Sequence, residues 1–276
     1  MDMMSMLTEQ GRREAEAVAA RPVTRLLDHE GRTAVVTGAA RGIGLAIARR
    51  LAESGAHVLM ADRRTVDLER ARSSLPAEWQ KRISTMEVDV TGTPHVAALA
   101  DYAVERTGRL DFWVNNAGIF PPSGPIRETQ VEVLDRIYEV NIKGVYVGCR
   151  EAARHMGRGA VILNVASIGA IKGQAGMSGY SASKHAVLGL TRSLAMELGK
   201  DGIRVMAIAP GLTVSPGNEE LLDSIQQAGH KLATLSAPLG RFNLADDIAR
   251  VALFAVSDMA AMMTGQLLVV DGGTTV

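Results

Sequence analysis

Seven short runs of β-branched and aliphatic residues punctuate the chain: Thr33–Thr37, His57–Ala61, Ile83–Val88, Asp111–Val114, Ala160–Val165, Val205–Ala209 and Leu267–Val270. Their apolar positions are nearly continuous rather than alternating, the pattern of strands buried on both faces. Between them, apolar positions recur at helical spacing over Ile43–Ser54, His95–Thr107, Thr129–Met156, Tyr180–Leu198 and Ala245–Val256. Strands alternating with helices predict an α/β fold: a doubly wound parallel sheet of about seven strands, in a single domain spanning residues 31–276. Two regions depart from the alternation. Residues 1–30 are charged, contain Pro22 and show a short helical pattern from about Thr8 to Ala20. They read as an N-terminal arm that docks on the body or a neighbouring subunit, with disorder as the alternative. Residues 212–240 lack a strand and carry Pro216, Gly217, Gly229 and Pro238, so they read as a helical insertion, a mobile lid.

Composition narrows the function classes. With 30 basic and 30 acidic residues among 276, the chain has no net charge to draw nucleic acid or an anionic membrane. No apolar run is long enough to span a bilayer. The segment Met1–Leu7 lacks the basic-then-apolar order of an export signal, so the expectation is a cytoplasmic protein. Cys149 is the only cysteine and follows the apolar Val145-Tyr146-Val147-Gly148, which suits a buried structural thiol. His29, His57, His95, His155, His185 and His230 show no spacing that would build a metal site.

The ends of the predicted strands carry the candidate chemistry. Thr37-Gly38-Ala39-Ala40-Arg41-Gly42-Ile43-Gly44 joins the first strand to the first helix. Its glycines allow a tight turn and close approach of a phosphate, and the helix start offers free N–H groups and a positive dipole to a pyrophosphate. No Gly-Lys-Ser/Thr follows, which disfavours a nucleoside triphosphate. Asp62 ends the second strand, eighteen residues past Gly44, where a carboxylate can accept both ribose hydroxyls of an adenosine. The same carboxylate would repel a 2′-phosphate by about 4 kcal/mol at ~4 Å and an effective dielectric of 20, which favours NAD over NADP. Arg63 and Arg64 are positioned to offset that repulsion, and a helix-capping role for Asp62 is the structural alternative. Asp89-Val90 ends the third strand and is suited to flank the adenine; Asn116-Ala117-Gly118 ends the fourth and belongs to the cofactor crevice. Asn141 is a polar residue inside a long predicted helix.

Tyr180 and Lys184 stand four residues apart on the next helix, and so share one face. A phenol titrates near 10 and is a poor base at neutral pH; a neighbouring ammonium favours phenolate. Oxidation of an alcohol needs such a group at oxygen while hydride leaves carbon, and Ser167 lies thirteen residues upstream.

Taken in order, Thr-Gly-x-x-x-Gly-x-Gly, Asn-Asn-Ala-Gly, a helical Asn, Ser, Tyr-x-x-x-Lys and Pro210-Gly211 resemble the short-chain dehydrogenase/reductase family over residues 31–276. The resemblance implies a Rossmann-type domain with a seven-stranded parallel sheet, in homodimers or homotetramers. It implies Tyr180 as acid/base, Ser167 holding the substrate oxygen, Lys184 on the nicotinamide ribose, and Asn141 anchoring a water that passes the proton to solvent. Pro210-Gly211 matches the turn beside the nicotinamide. The family's usual carboxamide-binding Thr is replaced by Ser215, with Thr213 as the other candidate. Ile119, Phe120, Ile168, Met177 and Leu212 flank these motifs and suit either an apolar substrate pocket or the core.

The expectation is therefore an NAD(H)-dependent oxidoreductase that interconverts a secondary alcohol and a ketone, preferring a cyclic or hydrophobic alcohol to a charged sugar acid. One alternative is an NADP(H)-dependent 3-ketoacyl thioester reductase. Another, of a different class, is a non-catalytic dinucleotide-binding sensor or scaffold.

Overall fold

A computed structural model describes residues 9–121, 124–215 and 237–276. Seven parallel strands form the central sheet: β1 (Thr33–Thr37), β2 (His57–Asp62), β3 (Ile83–Glu87), β4 (Leu110–Asn115), β5 (Met156–Val165), β6 (Arg204–Pro210) and, last in the chain, β9 (Leu267–Val270). Between β6 and β9, two-residue strands β7 (Thr213–Val214) and β8 (Asn243–Leu244) pair with each other. The order across the main sheet is β3-β2-β1-β4-β5-β6-β9. The chain winds outward from β1, then crosses back to β4 and winds the other way. At that reversal the loops leaving β1 and β4 diverge to opposite faces, and a crevice opens at the carboxyl edge.

Successive residues of each strand point to opposite faces, so the continuous apolar runs feed two cores. On one face Val36, Met60, Val114 and Leu163 pack with Ile47 and Leu51 of α2 (Gly42–Glu53) and Ile248 of α9 (Ala245–Val256). On the other, Val35, Leu59, Trp113 and Ile162 meet Leu99 of α5 (Thr93–Thr107), Val145 of α7 (Gly144–His155) and Val187 of α8 (Ser178–Leu198). Each fully buried Leu or Ile contributes about 1.5–3 kcal/mol, so both faces are needed to fix the sheet.

The predicted strands and most predicted helices stand where expected, with three differences. The helix predicted over 129–156 is α6 (Val131–Ile137), a π turn at Tyr138–Lys143, and α7. Helices α3 (Thr65–Ser73) and α4 (Ala77–Gln80) fill a segment with no clear sequence pattern; only Leu68 and Ala71 of α3 are buried, too few to print an apolar stripe. β5 starts at Met156 rather than Ala160 because Met156 pairs with Leu110 ahead of an irregularity in register. Of the predicted lid, residues 216–236 lie outside the described residues.

The N-terminal segment forms α1 (Glu9–Ala19), close to its predicted span. It is joined to the body by an ion pair of Arg21 with Asp258 and by the Asp258 N–H donating to the Leu26 carbonyl at 3.3 Å. Among the described residues, no helix is long and apolar enough to cross a membrane, and no His, Cys, Asp or Glu cluster could hold a metal.

Candidate active site

The crevice at the carboxyl edge encloses about 1120 Å³. Every residue predicted to contact ligand lines it except Gly44 and Asn141, which act from behind the wall.

The glycine loop is built onto the end of β4. The Asn116 amide donates to the carbonyls of Thr37 (2.9 Å) and Gly38 (3.0 Å). Thr37 Oγ1 accepts from the N–H groups of Asn116 and Ala117, both at 3.1 Å. A Cβ on Gly38 would lie 2.9 Å from Ala117 Cα, and one on Gly44 would overlap the Gly38 carbonyl oxygen. These two glycines are thus packing requirements. Gly42 differs: its φ is +57°, and the nearest atom to a Cβ there is Ser215 Cβ at 3.4 Å, on the crevice side. The start of α2 has no side-chain cap from Arg41, so its first N–H groups remain available. A glycine-walled cradle at uncapped amides fits the pyrophosphate of a dinucleotide.

Asp62 does not cap α3, whose N-cap is Arg64. Its carboxylate accepts from the Ala40 N–H at 3.2 Å and from the Arg63 N–H at 2.8 Å, bracing the glycine loop from the second strand. Arg64 is engaged by Asp67 at 2.7 Å. Asp89 accepts from the N–H and hydroxyl of Thr91. Burial works against its charge, but these bonds and the nearby Arg63 hold its carboxyl below the usual range. Val90 packs behind it, 3.1 Å from where a Gly144 Cβ would be.

The reactive side chains converge from β5, the π turn and α8. Ser167 caps the short turn Ile168–Ala170, accepting from the Gly169 N–H at 3.0 Å, and hydrogen-bonds Tyr180. The Tyr180 ring meets Phe120 edge-on at 4.7 Å. Lys184 Nζ donates to the Val165 carbonyl at 2.9 Å and stands 5.7 Å from the Tyr180 ring centre. Burial alone moves Lys184 from 10.5 to about 8. Burial also raises the Tyr180 phenol above 10, and the Ser167 bond opposes the rise. The ammonium is itself desolvated and directed at a carbonyl.

Asn141 is fully buried in the π turn. Its oxygen accepts from the Ile119 N–H at 2.8 Å; its amide donates to the Ile119 carbonyl at 2.9 Å and to Ser183 Oγ at 3.3 Å. Its side chain thus ties the loop after β4 to α8. Thr213 donates to the Gly211 carbonyl at 2.9 Å and is buried, whereas Ser215 abuts Gly42. Gly211 is held by its N–H on the Val270 carbonyl (2.9 Å), and a Cβ there would press on Asp271 at 2.8 Å.

Several working contacts are not given by motif spacing. Asn115 accepts from Trp113 Nε1 (2.7 Å) and donates to Asn164 (2.9 Å), which donates to Thr191 (3.0 Å). This buried chain fixes β4, β5 and α8 beneath the reactive residues. Beside it Cys149 is pushed up to about 12 by burial, a structural thiol. Ser181 Oγ is buried without a hydrogen-bond partner in a residue that lines the crevice, a polar atom left for ligand or water.

Comparison with known proteins agrees with this geometry. Residues 38–275 match the family profile described as enoyl-(acyl carrier protein) reductase. The chain is 41% identical over 249 residues to a cis-4-hydroxycyclohexanecarboxylate dehydrogenase of Sinomonas cyclohexanicum, covering 88% of this chain and 96% of that one. It is 37% identical over 246 residues to 3β-hydroxysteroid dehydrogenase 2 of Eggerthella lenta, covering 88% and 94%. Among solved structures, a short-chain dehydrogenase of Burkholderia cenocepacia in complex with NADP superposes with a TM-score of 0.80 at 32% identity, covering 90% of this chain and 99% of that one. Sheet order, crevice and relatives converge: this chain is an oxidoreductase with a dinucleotide-binding Rossmann-type domain, and it belongs to the short-chain dehydrogenase/reductase family.

Proposed function

We propose that this enzyme uses NAD(H) to interconvert a secondary alcohol on a ring and the matching ketone. The observation that carries the reading is the convergence of Ser167, Tyr180 and Lys184 on the crevice beside the glycine cradle. The nicotinamide cofactor supplies or accepts hydride at the carbinol carbon. Gly38, Arg41, Gly42, Ile43 and Gly44 would hold its pyrophosphate, Asp62 the adenosine ribose, Asp89 and Val90 the adenine. Asn116, Ala117 and Gly118 would line its path, with Lys184 at the nicotinamide ribose and Pro210, Gly211 and Thr213 at the nicotinamide. Ser167 holds the substrate oxygen, and Tyr180 gives its proton to that oxygen in reduction or takes it in oxidation. Phe120 excludes water from one side of the phenol. Asn141 keeps α8 in register with the loop that carries Phe120. The names of both relatives specify a hydroxyl on a ring compound, which supports a cyclic substrate.

Asp62 supports NAD, because its carboxylate is fixed by backbone donors and cannot swing away from a 2′-phosphate without leaving Ala40 unsatisfied. Exposed Val131, Leu134, Tyr138 and Tyr146 along α6–α7 support self-association into a homodimer or homotetramer. The second reading, an NADP(H)-dependent 3-ketoacyl thioester reductase, draws on the NADP-bound structural relative and on Arg63 at the crevice.

Following absorbance at 340 nm with cyclic and open-chain secondary alcohols, hydroxysteroids and 3-hydroxyacyl thioesters, each with NAD⁺ and NADP⁺, separates the readings. The proposal expects ring alcohols to react with NAD⁺ far faster than with NADP⁺. Turnover confined to acyl thioesters with NADP⁺ would replace it by the second reading. Cofactor binding without turnover of any of them would leave the sensor alternative.

A further inference from the structure

The wall of the crevice nearest Tyr180 carries charge that proton and hydride transfer do not use. Arg136 lies on α6. Its neighbours Leu134 and Ile137 pack against Gly179, immediately before Tyr180, at 3.3 and 3.5 Å from where a Cβ would stand. Lys172 lies five residues beyond Ser167, just past the turn Ile168–Ala170. Both side chains are exposed, and both line the crevice with Phe120, Ile168 and Met177.

The charge around the crevice is uneven. Among the described residues, seven cationic ones line it against three acidic ones, in a chain whose net charge is zero. The acids are Asp62 and Asp89, at the ends of β2 and β3 where adenosine would lie, and Asp271, which folds back on Gly273 and Thr275. Among the described residues, no carboxylate lines the Tyr180 wall. Arg41, Arg63 and Arg64 stand at the glycine loop and the end of β2; Arg241 is paired with Asp247; Lys184 is directed at Val165. That leaves Arg136 and Lys172, neither of which forms a side-chain hydrogen bond or ion pair among the described residues. Two cations that line the crevice with apolar Phe120, Ile168 and Met177, and that no acid among the described residues pairs, focus potential on whatever anion enters.

We propose that Arg136 and Lys172 bind a carboxylate carried by the substrate at a position remote from the reacting hydroxyl. The selected substrates are then cyclic hydroxy acids, with the ring between Phe120, Ile168 and Met177 and the anionic group at the rim. This narrows the sequence-based preference for a cyclic or hydrophobic alcohol to cyclic alcohols that carry a carboxylate. It rests on the proposed function for the bond that reacts, but the anion site is testable without any reaction. An exposed single ion pair is worth little, whereas two donors converging on one carboxylate act together.

The test uses the full chain loaded with whichever reduced nicotinamide cofactor it binds more tightly. Dissociation constants of cyclohexanecarboxylate and of neutral, near-isosteric cyclohexanecarboxamide are measured by calorimetry. Neither ligand has a hydroxyl, so neither can be oxidised. The expected result is a preference for the carboxylate of about tenfold or more, equivalent to about 1.4 kcal/mol. Arg136→Gln and Lys172→Gln should each reduce that preference at least threefold, and the double variant should bring it near parity. Raising salt to about 0.5 M should narrow it in the parent protein. Because the readout is a ratio on one preparation, partial loss of folded protein cancels. Parity in the parent, no measurable binding of either ligand, or a preference that survives both substitutions would overturn the proposal. A carboxylate preference in a protein that oxidises no alcohol would instead sink the proposed function and leave the anion site standing.

Discussion

The two ends of the same sheet solve opposite problems. At the amino edge most polar groups are satisfied by the protein itself, the exception being His29 Nε2, which is buried without a hydrogen-bond partner. Asp111 accepts from Arg32 (2.9 Å), the Thr33 N–H (2.9 Å) and Arg109 (2.7 Å), and His29 is buried between Ser54 and Phe112. Behind β6, Arg204 donates to the carbonyls of Ala255 (2.7 Å), Val256 (3.1 Å) and Ser257 (3.0 Å), closing the end of α9. At the carboxyl edge the polar groups are held just as firmly, yet capacity is left over: uncapped amides at α2, the unpartnered Ser181 hydroxyl, unpaired Arg136 and Lys172, and a phenol with a lysine facing its ring. The amino edge spends its polar groups on stability; the carboxyl edge holds them for a ligand.

Substitutions at the two edges should therefore fail in different ways. The largest effect is expected at Asp62. Asp62→Ser keeps an acceptor for the Ala40 N–H while removing the charge, and should shift the ratio of NADPH to NADH dissociation constants by a hundredfold or more toward NADPH. An unchanged ratio in fluorescence titrations would mean that Asp62 only braces the loop. Next comes Gly44→Ala, whose methyl would overlap the Gly38 carbonyl oxygen. It should cost about 3 kcal/mol in urea unfolding and weaken dinucleotide binding with it. Wild-type stability in that variant would show that the loop is less tightly packed on α2 than described.

At the amino edge the expected change is in pH dependence. Burial lowers His29 from 6.5 to about 4. The unfolded chain then takes up the proton first, so the stability that neutral His29 contributes is complete above about pH 6.5 and is lost as pH falls toward 4. The loss should reach about 2–3 kcal/mol, and His29→Gln should flatten that part of the profile without changing cofactor affinity. Parallel pH profiles for the two proteins in urea melts would contradict a buried neutral His29.

Much of the carboxyl edge was legible in the sequence because its residues sit at strand ends in fixed order. Gly42, Asp62, Ser167, Tyr180 and Lys184 all face one crevice, as the motif order implied. What stayed hidden depends on partners far apart in the chain. The Trp113–Asn115–Asn164–Thr191 chain joins residues up to 78 positions apart, and local spacing marks only Asn115, through Asn-Asn-Ala-Gly. The π turn leaves no trace in periodicity, since one added residue per turn hardly shifts an apolar stripe that continues beyond it. The partners of Asn141 and Lys184 stayed hidden for a related reason: a residue type does not name the backbone groups, here of Ile119 and Val165, that fold against it. Strand order likewise follows from the crossover at β4, which a run of strands and helices does not specify.

The central claim is that Tyr180 carries the proton while its neighbours hold it in place. Tyr180→Phe keeps the ring against Phe120 and removes only the hydroxyl. With a ring alcohol that the parent enzyme oxidises, saturating cofactor and substrate, the account predicts kcat lower by at least a hundredfold. Melting temperature and cofactor dissociation constant should remain close to the parent values. A variant that folds, binds cofactor and turns over at near-parental kcat would contradict the account.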